Sequence, residues 1–306
     1  MPIPTQASFW STFLRFSKSA KNRKRIEAFL FRYFLGYHKV PSRLAASNRR
    51  QLLNAADVEE VFTFLSERVR APSTSTQLRA YAAKVWDSLV TEIGGVFTRF
   101  PPNKATRQVF RQLLDNHIRS RDVVVSFNYD TVFESSLPGS QRWAYDGIED
   151  TTGALRILKP HGSVNWEAGS PIRRRASPKR SVVVAPTHLK FVSSSDAAGP
   201  VSLAGYLDQS SEIQLIWSSM ERHMSQAKAL VFIGYSFPVA DLYFSSILRS
   251  VLADRSASPA VVVVNPDAVA LAARLEARFA VPRISRYFDL AQFVQAGRSN
   301  VLKQVG

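Results

Sequence analysis

Three short apolar runs, each ending in polar and turn-forming residues, limit what this chain can fold into. Val123-Val124-Val125 leads into Ser126-Phe127-Asn128-Tyr129-Asp130. Leu158 leads into Lys159-Pro160-His161-Gly162-Ser163, and Leu230-Val231-Phe232-Ile233 leads into Gly234-Tyr235-Ser236-Phe237. The runs are partly β-branched and apolar at successive positions, as in strands of a parallel sheet covered on both faces. In an open α/β sheet the carboxyl ends of strands border the ligand crevice. These three ends therefore predict an amide, a carboxylate, an imidazole and a hydroxyl around one crevice.

The rest of the pattern agrees with such a sheet. Strand candidates at 155–159, 182–185, 229–233, 260–264 and 281–285 are interspersed with helical periodicity over 211–225, 240–253, 267–278 and 289–296. Strands alternating with helices imply parallel pairing through right-handed crossovers. Upstream, residues 8–35, 55–70, 76–97 and 104–119 all carry helical spacing, and the basic stretch from Lys18 to Arg25 threatens to divide the first. Residues 186–209, rich in Ser, Ala and Gly, predict a long loop. The fold class expected is α/β: a Rossmann-like parallel sheet with helices on both faces plus an inserted helical cap subdomain. The expected division is 1–119 as a mainly helical cap or insert with a basic N-terminus, and 120–306 as the α/β core.

Of the 306 residues, 45% are hydrophobic and 21% charged, a globular balance. No run of 18 apolar residues marks a membrane span, and Met1-Pro2-Ile3-Pro4 opens no signal-peptide pattern, so a cytoplasmic protein away from membranes is expected. Cysteine is absent, which excludes disulfides, thiolate metal sites and a thiol nucleophile. Five histidines without an H-E-x-x-H string lead to the expectation of no metal. The net charge is +16, and residues 1–50 hold 11 lysines and arginines against one acid, Glu27. With Arg173-Arg174-Arg175, Lys179 and Arg180, this basicity attracts polyanions, nucleic acid among them, although its plainer reading is a solvated face and a basic loop.

Five ordered strings resemble the SIR2-like family, bacterial relatives of the sirtuins. They are Asp57-Val58-Glu59-Glu60-Val61-Phe62, Ser126–Asp130, Leu158–Trp166, Ile233–Phe237 with Pro238 and Asp241, and Val263-Val264-Asn265-Pro266-Asp267. Together they span about residues 55–285. The resemblance implies a Rossmann-like core that binds NAD and cleaves its nicotinamide–ribose bond. On that basis Asn128 would act on the nicotinamide ribose or orient the attacking water, and Asp130 would line the nicotinamide side. His161 would be the general base or a ribose-hydroxyl contact. Gly234 and Ser236 would approach the phosphates or adenosine ribose, and Asn265 the adenosine; Ser126 and Gly162 complete the cofactor-binding set. Many bacterial members resemble NAD-depleting enzymes of phage defence. The sequence departs from the family in two ways. The Gly-Ala-Gly phosphate loop is absent, Gly36 being the one glycine in the first 90 residues, so a first strand and loop are expected to be missing from the chain as written. The four-cysteine zinc module is also absent, which counts against peptide deacylation.

Cleaving this bond develops positive charge on the ribose and expels a leaving group that is already cationic. The site then needs a water-positioning group, a base near neutral pH and a dry pocket. Asn128 and His161 fit the first two needs. The plainer reading of Asn128 and Asp130 is local turn chemistry, with Thr131-Val132-Phe133-Glu134 as a capping box, and of His161 a turn residue bonded to backbone. Lys159 is expected to face solvent. His38, His117, His188 and His223 are expected to be structural, and Trp143, Trp166 and Trp217 core anchors. The expected function is an NAD+ hydrolase (NAD+ glycohydrolase) with NAD as substrate, serving antiphage defence, with a homo-oligomer or a defence-system protein as partner. The alternative is a catalytically inactive SIR2-like subunit whose basic surface binds nucleic acid or a partner protein.

Overall fold

The computed structural model describes residues 8–41, 44–71, 73–97, 99–169, 171–178, 181–184, 210–237, 241–253, 259–279, 281, 284–299 and 301. The expected loop at 186–209, His188 and Pro238 lie outside these residues. The chain is mixed α/β with parallel sheets and many helices, a Rossmann-like arrangement. It separates into two compact units that interleave along the sequence. One comprises 1–101, 127–131 and 159–214, and the other 102–126, 132–158 and 215–306.

The first unit is built on five helices: α1 (Phe9–Phe16), α2 (Ala20–Tyr33), α3 (Ala46–Ala55), α4 (Val58–Arg70) and α5 (Thr76–Phe97). Their apolar stripes meet in one core that includes Trp10, Phe13, Phe29, Phe62, Leu89 and Ile93. The predicted helix 8–35 is two helices, broken at Ser17-Lys18-Ser19. The break is held by buried Glu92 of α5, which accepts hydrogen bonds from Ser17 Oγ, the Lys18 and Ser19 amides and Asn22 Nδ2. Ser19 also caps α2 by accepting from the Asn22 amide at 3.2 Å. Asp57 caps α4 in the same way, accepting from the Glu60 amide at 2.9 Å. Helix α3 carries only Leu53 into the core, too weak a stripe to stand out in the sequence. A small antiparallel sheet completes this unit in the order β5-β4-β6, from β4 (Gly162–Glu167), β5 (Arg173–Arg174) and β6 (Ser181–Val183). Of these, only the 182–185 strand was predicted.

The second unit holds two parallel three-stranded sheets. One has the order β1-β3-β2, from β1 (Val123–Val125), β2 (Trp143–Tyr145) and β3 (Leu155–Leu158). The other has the order β7-β8-β9, from β7 (Ala229–Ile233), β8 (Ala260–Val264) and β9 (Ile284–Tyr287). Val261–Val264 are almost fully buried, as expected for a β-branched strand flanked on both sides. The helices are α6 (Lys104–His117), α7 (Val132–Ser136), α8 (Ser210–Gln226), which begins in the first unit, α9 (Leu242–Ala253), α10 (Ala268–Phe279) and α11 (Leu290–Ala296). Helices α6 and α11 pack with β8 and β9 through Leu113, Val262, Tyr287 and Phe293. The last strand lies further along the chain than the predicted 281–285.

Candidate functional site

Strands β1 and β3 are parallel neighbours in the register Val125↔Leu158, and the Ser126 amide donates to the Leu158 carbonyl at 2.8 Å. The chain therefore leaves both strands at the same sheet edge, and the predicted residues follow at once. In the first unit, segments 127–131 and 159–163 are bonded to one another. The Tyr129 carbonyl accepts from the Val164 amide at 2.9 Å and from Ser163 Oγ at 3.4 Å. The Tyr129 hydroxyl donates to the Val184 carbonyl at 2.8 Å, and the Val184 amide donates to the His161 carbonyl at 2.8 Å. Tyr129 thus anchors its neighbours Asn128 and Asp130. Nothing in its spacing marks it, because its role depends on residue 184, far along the chain.

His161 is buried. Its ring meets Phe127 edge-on at 5.1 Å between centroids, and Tyr129 lies 6.4 Å away on a tilt. Asp130 is also buried. Asn128 is exposed, and its amide is uncommitted among the described residues. Lys159 is not solvent-facing as its residue type suggested: it is fully buried, and its ammonium donates to the Asp130 carbonyl. The physical reason is that Lys159 follows directly on the buried end of β3 beside segment 127–131, whose Asp130 carbonyl gives the buried ammonium an acceptor. Gly162 adopts φ +82°, and a Cβ there would lie 2.3 Å from the Val182 carbonyl oxygen. Glycine is thus required by the contact between β4 and β6, whatever else the residue does.

The second unit gathers the remaining predicted residues. Ile233↔Val264 are paired, so Gly234–Ser236 and Asn265 leave neighbouring strand ends together. Gly234 takes φ +66° with open space where a Cβ would be, so glycine there serves the turn. Phe237 also has positive φ, +52°, which is uncommon for an aromatic residue. Its ring is held against Phe232, Tyr235 and Phe244. Buried Asp241 accepts from the Tyr235 hydroxyl at 2.6 Å and closes the same loop. Ser236 is exposed, and its carbonyl accepts from Arg274 at 3.1 Å. Asn265 Oδ1 accepts from the Asp267 amide at 2.9 Å, a local turn at the start of α10. Ser126 is half-buried at the end of β1.

Two of the histidines expected to be structural have structural partners. His117 is buried with its ring stacked on Phe293 at 4.1 Å, and burial holds its pKa below the ordinary value. His223 Nε2 lies 3.3 Å from Asp146 Oδ2. Among the described residues no group of three or more His, Cys, Asp or Glu side chains is placed to hold a metal ion. No helix among them is long and apolar enough to cross a membrane.

Parallel sheets joined by helices define a Rossmann-like α/β protein. The family model described as SIR2-like domain matches residues 122–282, more than half of the chain, and the chain belongs to that family, which is sirtuin-related and NAD-using. The matched stretch contains four of the five strings; Asp57–Phe62 lies outside it. No curated protein matches the chain.

Proposed function

We propose that this protein cleaves NAD at the nicotinamide–ribose bond and releases nicotinamide and ADP-ribose. The observation that carries this reading is the bonded pair of segments 127–131 and 159–163. They present an exposed, uncommitted Asn128 amide and a buried His161 ring set between aromatic side chains, in a member of an NAD-using family.

The fit to NAD rests on the donor set. Asn128 offers both an amide donor and an acceptor, enough to orient a water or a ribose hydroxyl. His161 takes the proton as the water attacks the anomeric carbon, a role suited to the side chain that titrates nearest neutral pH. Phe127 and Tyr129 shield that imidazole from bulk water. Buried Asp130 lines the nicotinamide side, its backbone fixed by the Lys159 ammonium. Within the second unit, Gly234, Ser236 and Asn265, with Ser126, are the proposed nucleotide contacts, and in the first unit Gly162 belongs to the turn that carries His161. Nicotinamide leaves as a neutral molecule, so no general acid is required.

The test is nicotinamide release from NAD by purified protein. His161→Ala and Asn128→Ala should each lower the rate at least about 100-fold, the usual contribution of a positioned proton-transfer or orienting group; exposed Asn128→Ala should do so with thermal melting unchanged, and His161→Gln, which fills more of the buried space, should be as inactive as His161→Ala. Activity surviving both substitutions would remove this reading. The proposed biological setting is antiphage defence. Cells expressing the protein should resist phage and lose NAD on infection, and the His161→Ala strain should do neither.

A further inference from the structure

Lys159 is the one lysine or arginine buried among the described residues, with 0% of its surface exposed. Taking an ammonium out of water is costly, and an apolar side chain of similar volume would fill the same space without that cost. Its two polar ends serve two different segments of the first unit. The ammonium donates to the Asp130 carbonyl. The Lys159 carbonyl accepts from the Gly162 amide at 2.9 Å and closes the turn that carries Pro160 and His161. The carbonyl just before that of Asp130, on Tyr129, accepts from the Val164 amide at 2.9 Å and from Ser163 Oγ at 3.4 Å. Two successive peptide planes, 129–130 and 130–131, are thus held by residues 159–164. Asn128, whose side chain is exposed, stands directly before them.

We infer that Lys159 is a positioning residue for the proposed reaction, which locks the Asn128 segment to the His161 turn and touches neither NAD nor the reacting atoms. This role rests on the NAD reading above and adds to it the part that sets the geometry of its two principal residues. Lysine suits the task because its four-carbon stem reaches inward from the end of β3 and its ammonium is a charged donor, which a carbonyl accepts more strongly than a neutral one. The consequence for rate is direct, because a misplacement of about 1 Å can cost about 100-fold. Substrate binding is affected less, because Gly234, Ser236 and Asn265 belong to the second unit. Loss of the Lys159 ammonium therefore falls on kcat and leaves KM.

The experiment is steady-state nicotinamide release from NAD by the full chain and its Lys159→Met variant, which keeps most of the apolar stem and removes the charge. Its kcat should fall at least about tenfold with KM within about twofold of the parent, the pattern of a group needed in the transition state and not in substrate binding. Lys159→Gln, which returns an N–H donor, should recover part of the loss. Glu92→Gln weakens buried bonding elsewhere in the first unit and is the control for general loosening: it should melt at least as far below the parent as Lys159→Met does and keep the parent kcat. No nicotinamide release by the parent would remove the NAD reading and this role with it. From an active parent, a parent-level kcat in Lys159→Met would overturn the role of Lys159 alone. A raised KM with kcat unchanged would do the same, as would an equal loss of kcat in Glu92→Gln. Lys159→Gln no faster than Lys159→Met would show that donation to the carbonyl is not what the reaction needs, and would also overturn it. If neither Lys159 variant folds, the residue serves the fold alone and the role is lost.

Discussion

Lys159 shows how far a single residue's surroundings can depart from its type. A lysine after an apolar strand reads as solvent-facing, yet its ammonium is turned inward onto the Asp130 carbonyl. The acceptor sits 29 positions away in sequence, so no local pattern announces it. Gly162 is the converse case. The sequence marks it as a turn glycine in a Pro-His-Gly-Ser string, and the structure supplies a harder reason, since Val182 backbone fills the space of a side chain. Gly162→Ala should destabilise the protein by roughly 3 kcal/mol through strain and overpacking, read as a lower denaturant midpoint. Gly234→Ala meets no neighbour and bears only the cost of positive φ, so it should lose about 1 kcal/mol. If the two substitutions cost the same, the Val182 contact is not what requires glycine at 162.

At the scale of elements, the α1–α2 break shows a buried charge organising a helix boundary. Burial alone would push the Glu92 carboxyl up. The hydrogen bonds from Asn22, Ser17, Lys18 and Ser19 outweigh it and hold the pKa below the ordinary carboxylate value. A carboxylate that is more acidic folded than unfolded contributes stability above its unfolded pKa, about 4.3. That contribution is lost as pH falls through the lowered folded value. Glu92→Gln should therefore be destabilising at pH 7, with its deficit relative to the parent shrinking as pH falls below about 4, followed by urea melts across pH. A deficit that does not change with pH would mean that the Glu92 charge has no part in holding the break. The basic run at 18–25 pointed to this division, but the residue that makes it comes from α5, more than 70 positions on.

Across the molecule, the two parallel sheets of the second unit each present an outer strand that reads as an interior one. β1 is Val-Val-Val with every residue only half-buried, and β7 exposes Val231 at 41% and Ile233 at 39%. Among the described residues β7 has a strand on one side only. An apolar edge of this kind templates pairing with other chains, and a charge on it blunts that tendency. Ile233→Lys should lower light scattering on heating, while Val263→Lys, in the buried β8, should unfold the protein. Scattering unchanged by Ile233→Lys would show that this edge does not drive association.

The alternation of helices and strands over 210–296, the parallel pairing there and of β1 with β3, and the strand-end positions of Asn128, His161, Gly234 and Asn265 were legible in the sequence; α3, β2 and the antiparallel sheet β5-β4-β6 were not. Apolar periodicity and turn residues are local properties of the chain, and they set which segments can be buried on both faces. Three further features became visible only in the tertiary structure: the anchoring of Tyr129, the inward turn of Lys159, and the regrouping of 127–131 and 159–214 with the N-terminal helices. Each depends on contacts between residues distant in sequence, where a polar group buried by packing must find its partner wherever the fold brings one.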